Sequence, residues 1–138
     1  MHHLDAEELK NLKIFRDLLP DEWTEVYALL NRQKIIEGEQ LIREGEQAHT
    51  FFIILRGHFM IHYGDGRAVT LNKKGDIIGW SSVIRPFQYT ANVTALTAGE
   101  VLSIPGDRFL ELLQKNAELG DKLVKRVNEL VSKRQAID

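Results

Sequence analysis

Between Gln33 and Ile104 the chain alternates short β-prone runs with glycine turns, and this pattern limits the fold more than any other feature. The runs are Lys34–Ile36, Leu41–Ile42, Phe51–Leu55, Phe59–Tyr63, Ala68–Leu71, Ile77–Ile78, Tyr89–Thr97 and Val101–Ile104. Gly38, Gly45, Gly57, Gly64, Gly66, Gly75, Gly79 and Gly99 punctuate them. About eight short strands with turn signals between them imply a sandwich or barrel. Gly64-Asp65-Gly66 is the clearest hairpin turn, because glycine reaches positive φ without steric cost.

Helical patterns flank this block. Leu9, Leu12, Ile14 and Phe15 begin an apolar face, which Leu18-Leu19-Pro20-Asp21 interrupts. Asp21 is read as the N-cap of a second helix carrying Trp23, Val26, Tyr27, Leu29 and Leu30. After the last strand, Pro105-Gly106-Asp107 opens a helix through Phe109, Leu110, Leu112 and Leu113, and Asn116 breaks it before a longer amphipathic segment. The expected architecture is one α+β domain over residues 1–138. N-terminal helices span 5–31, a jelly-roll-like β-roll (a double-stranded β-helix) spans 33–104, and a C-terminal helix pair spans 107–136.

With 138 residues the chain suits one domain with a real core. The net charge of −2 lacks the positive field of a general nucleic-acid binder. The absence of cysteine excludes disulfides, thiol catalysis and cysteine-held metals. The start, Met1-His2-His3-Leu4-Asp5, has no apolar leader, and Phe51–Leu55 is far short of the ~20 residues of a membrane span. A cytoplasmic protein with no membrane contact is expected.

The ordered pieces Gly38-Glu39, Leu41-Ile42-Arg43-Glu44-Gly45-Glu46, Phe51–Gly57 and Gly75-Asp76-Ile77-Ile78-Gly79 resemble the cyclic nucleotide-binding domain family, of the catabolite-activator and anaerobic-regulator type. Ile14–Leu18 and Arg108–Leu113 look like its flanking helices, so the resemblance covers roughly residues 12 to 132. It implies a non-enzymatic ligand-sensing domain, with a nucleotide or other small anion held at a phosphate cassette. That cassette corresponds here to Gly79, Trp80, Ser81, Ser82, Val83, Arg85, Tyr89, Thr90 and Ala91. Resemblance puts a ribose-binding Glu where this chain has Trp80, and a phosphate-binding Arg where it has Tyr89. Each charged hydrogen bond contributes about 1.5–3 kcal/mol, so losing the arginine alone weakens cyclic AMP binding ten- to hundred-fold or more. Ser81, Ser82, Thr90 and the turn's backbone donors remain, and Arg85 could swing toward an anion. Trp80 and Tyr89 either stack on a flat ligand or fill the old pocket.

Leu123, Val124, Val127, Leu130 and Val131, with Leu119, mark an apolar stripe on the last helix. In the resembled family this helix covers the pocket and packs on its twin, which implies a homodimer or a protein partner. The chain stops at Asp138, leaving no room for a helix-turn-helix, so direct DNA binding is not expected.

Two other readings stay open. One is a ligand-free interaction or scaffold domain with an aromatic-filled pocket. The other is a cupin-like metal enzyme using His58 and His62, four apart on one expected strand, although the His-x-His spacing of that class is missing. No nucleophile motif or acid/base pair is present, no metal site is expected, and Glu37, Glu39, Glu44 and Glu46 read as a solvated face.

Overall fold

The computed structural model describes residues 6–135, with side chains through 132. Among the described residues, eight strands form two antiparallel four-stranded sheets. Strands β1 (Asn31–Ile35), β8 (Gly99–Pro105), β3 (Thr50–Arg56) and β6 (Ile77–Ile78) make the first, in that order. Strands β2 (Gln40–Ile42), β7 (Ala91–Ala95), β4 (Phe59–Tyr63) and β5 (Ala68–Leu71) make the second. This is the expected α+β roll.

The unbroken apolar run of β3 has a simple cause: both its faces are buried. Phe52 and Ile54 point between the sheets, where Phe59, Ile61, Ile78, Val93 and Val101 complete one core. Phe51, Ile53 and Leu55 point the other way into a second core shared with the helices. Period-two alternation thus gives one strand to two cores. The Gly64-Asp65-Gly66 hairpin joins β4 to β5, with Gly66 at φ 95° and the Asp65 carboxylate accepting the Arg67 amide at 3.0 Å.

Helix α1 (Ala6–Lys10), a 3-10 turn at Lys13–Phe15 and α2 (Pro20–Tyr27) precede the roll. The start of α2 differs from the sequence reading. Leu19, not Asp21, is the N-cap, and Pro20 occupies the first helical position, where its missing N–H costs nothing. Glu22 reaches back to accept the Leu19 amide at 2.8 Å. β1 begins at Asn31, two residues before the period change in sequence, because Asn31 and Arg32 pair with Ser103 and Leu102.

Helices α3 (Gly106–Lys115) and α4 (Ala117–Gln135) follow β8. Asn116 ends α3 and starts α4, its side chain accepting the Leu119 amide at 3.2 Å. The last residues of the expected helix pair, from 136 on, lie outside the described residues. Leu119, Leu123 and Val127 of α4 are wholly buried in the helical core. No helix among the described residues is long and apolar enough to cross a membrane.

Two ion pairs tie α4 to the N-terminal segment. Lys122 donates to the buried Glu22 carboxylate at 2.7 Å, and Arg126 donates to Asp17. The hydrogen bond from Lys122, then that from Leu19, hold the Glu22 carboxyl below its ordinary range. A carboxylate depressed on folding adds stability above its unfolded pKa and loses it as pH falls through the lower folded value. Glu22→Gln is therefore expected to cost about 1 kcal/mol at neutral pH, Lys122 being partly solvated. Urea titrations at several pH values should show that deficit shrinking below the ordinary glutamate range. A deficit constant across that range would rule out the ion pair as its source.

Candidate functional site

Gly79 carries the chain from β6 into the cassette at φ 81°. A Cβ here would lie 3.0 Å from the Thr50 carbonyl oxygen and 3.2 Å from the Phe51 Cα, so both the conformation and the close approach require glycine. A 3-10 turn follows at Trp80–Val83. The Trp80 ring packs edge-on against Phe51 at 5.1 Å and Phe109 at 5.9 Å, while Phe51 and Phe109 are 4.9 Å apart. These three rings join cassette, roll and α3.

Ser82 and Val83 point away from the roll's interior. Val83 belongs to the helical core. Ser82 is buried beneath Gly106, whose absent Cβ would sit 2.6 Å from the Ser82 Cβ, and its hydroxyl has no hydrogen-bond partner among the described residues. Two amides of the turn are already spent, Ser82 N–H on the Gly79 carbonyl and Ile84 N–H on that of Ser81. The loop then runs outward, with Arg85 exposed and its guanidinium 6.0 Å above the Phe87 ring.

Tyr89 brings the chain back. Its hydroxyl donates to the Thr50 carbonyl at 2.6 Å and accepts the Thr50 amide at 3.2 Å, clasping the first residue of β3. Its backbone pairs with Gly45 and Glu46. Burial pushes the phenol above its ordinary pKa range.

Between the cassette and the second sheet lies a cavity of about 230 Å³. Gly79, Trp80, Ser81, Tyr89, Thr90 and Ala91 line it, and so does Val131 from α4. Among the described residues its lining holds no charged side chain. The expected site therefore divides. Six of the nine nominated cassette residues meet at the cavity, whereas Ser82, Val83 and Arg85 line other surfaces.

The nominated helix residues divide too. Leu123 and Val127 are core, Val131 is a cavity wall, Leu130 faces a groove beside Leu71, and Val124 is 39 % exposed. Ile42, Ile61, Tyr63, Ile77, Ile78, Ile84 and Val93 line the cavity without having been nominated. Strand alternation carried a signal for Ile61 and Val93, which point inward from β4 and β7.

The histidine reading needs correction. His58 precedes β4 instead of lying on it, its amide donating to Thr97, and both His58 and His62 are exposed. No group of three potential ligands among the described residues could hold a metal ion.

With this geometry in view, the comparisons with known proteins are decisive. The model of the family described as "Cyclic nucleotide-binding domain" matches residues 32–116, more than half of the chain. The chain belongs to this family. Curated relatives include a cAMP-dependent protein kinase regulatory subunit of Colletotrichum orbiculare, 28 % identical over 76 % of this chain. A type II regulatory subunit of Drosophila melanogaster is 26 % identical over 81 % of it. The chain spans only 27 % and 29 % of those two proteins' own length.

Among solved structures, a Geobacter metallireducens protein described as cyclic nucleotide-binding matches with a TM-score of 0.87 at 24 % identity, over 96 % of this chain and 99 % of its own. The sensor domain of the transcriptional regulator DNR from Pseudomonas aeruginosa matches at 0.74 and 20 % identity, covering 90 % of this chain and 91 % of that domain. Both show the fold of the domain.

Two substitutions separate what the cassette's polar groups do for this domain. Tyr89→Phe removes both hydrogen bonds to Thr50 and is expected to cost about 1 kcal/mol or more. Ser82→Ala removes a buried hydroxyl with no partner, so it should be neutral or slightly stabilising. Chemical denaturation of both variants checks the contrast. A large loss in Ser82→Ala would mean that its hydroxyl has a partner.

Proposed function

We propose that this domain is a ligand-sensing regulatory module whose cassette has turned away from phosphate recognition and whose occupancy is reported through α4. The observation supporting the reading is the cavity: it stands open at the family's cassette, carries no charge in its described lining, and takes Val131 of α4 as a wall. An open cavity favours this reading over a pocket filled by aromatics, since Trp80 packs against Phe51 and Phe109. The names of the relatives, regulatory subunits and a sensor domain, agree with a regulatory role.

Reporting through α4 has a physical basis. Glu22 and Asp17 hold the first half of the helix, while Val131 lies at the cavity. A ligand that contacts Val131 differently in two packings of the helix shifts the balance between them. The outlet is the outward face of α4, where Val124 stands among Asp121, Lys125, Asn128, Glu129 and Ser132. A second copy of the chain or another protein would dock there.

The reading predicts weak cyclic AMP binding that a single change improves. Tyr89→Arg should tighten cyclic AMP binding at least tenfold in isothermal titration, as expected for one charged hydrogen bond. In that variant, bound cyclic AMP should also slow amide exchange in Val127–Val131. No gain in affinity would remove the lost-charge explanation, and binding without any change in α4 would remove the reporting step.

A further inference from the structure

Resting on that reading, we infer that the cassette cavity takes an uncharged, compact and largely apolar molecule with one hydrogen-bonding group, such as a one- or two-ring aromatic alcohol. The walls set the main requirement. Ile42, Ile61, Ile78 and Val93 supply aliphatic surface from β2, β4, β6 and β7, and Val131 faces them from α4. Binding to such walls is driven by removing apolar surface from water, which rewards apolar area on the ligand.

Charge is selected against by the same walls. A charged group placed there meets no opposite charge in the described lining, and an unpaired ion moved out of water is strongly penalised. Arg67 stands 4.7 Å above the Tyr63 ring, and it is paired with Asp65 at 2.9 Å on the hairpin. Two amides, those of Ser82 and Ile84, serve the turn itself and are not available to an anion.

The polar requirement is small and local. Tyr89 spends its hydroxyl on Thr50. Ser81 and Thr90 line the cavity, and neither side chain hydrogen-bonds to another described residue. Each hydroxyl can donate and accept, so together they satisfy one hydroxyl or carbonyl at that end of a ligand. Size completes the description. An apolar cavity of about 150 Å³ holds benzene. The larger 230 Å³ here leaves room for a second ring or a substituent.

The experiment uses 1-naphthol, naphthalene, 1-naphthalenesulfonate and cyclic AMP as probes, read by methyl NMR of Ile42, Ile61 and Ile78. The two neutral probes should shift these methyls, with 1-naphthol bound more tightly than naphthalene, and the two anions should bind at least tenfold more weakly. Ala91→Leu, which fills the cavity, should abolish the shifts; its fold is checked by thermal melting. Thr90→Val with Ser81→Ala, at less buried positions, should erase the advantage of 1-naphthol over naphthalene.

Tight cyclic AMP binding with no response to the neutral probes would overturn the ligand class and leave the sensor reading standing. Silence from all four probes would overturn both. Neutral-probe shifts that persist unchanged in folded Ala91→Leu would place binding elsewhere and also overturn the inference.

Discussion

Everything at the site depends on the contact among Phe51, Trp80 and Phe109. Phe51 comes from the central apolar strand, Trp80 from the cassette and Phe109 from the first C-terminal helix, and each ring lies within 6 Å of the other two. Tilted aromatic pairs contribute about 0.5–1.5 kcal/mol each beyond the area they bury. Gly79 makes the contact possible, because only a residue without a side chain lets the turn approach Phe51 so closely. The cassette is thereby pinned to the helical side of the first sheet, and the space between it and the second sheet stays open.

Much of this was legible in the sequence, and what was not has a common cause. The glycine turns, the eight strands and the break at Asn116 are local features, set by φ, periodicity and capping. The two-faced burial of β3 was present as a run without alternation, Phe51 to Leu55. Long-range pairings left no local trace. Glu22 meets Lys122 a hundred positions away, and the Tyr89 hydroxyl meets Thr50 across thirty-nine. The cavity walls were hidden for the same reason: Ile42, Ile78 and Val93 look like any strand residue until the sheets close. His58 and His62 suggested a shared strand face because His58 was counted with a run that begins only at Phe59.

α4 shows how far an amphipathic pattern can be read. The spacing announces that a helix covers something, but not which surface each residue covers. Here Leu119, Leu123 and Val127 are consumed by the domain's own core, and Val131 by the cavity. Among the described residues of the stripe, Leu130 faces the groove beside Leu71, and Val124 faces outward among polar neighbours. Any association through this face would rest on charge and hydrogen bonding around one small apolar centre, so it would be sensitive to salt.

The two positions where the family resemblance implies charged anchors have not simply been emptied. Each now has a structural role. Tyr89 closes the start of β3 through two hydrogen bonds, and Trp80 fills the junction with α3. Their reversal is therefore unequal. An arginine in place of Tyr89 releases the amide and carbonyl of Thr50, a half-buried residue whose groups water can serve in part. A glutamate in place of Trp80 would set a carboxylate against two buried rings with no cation in the described lining. Position 80 is thus the deeper commitment, since its aromatic packing and the uncharged character of the cavity are consequences of the same side chain.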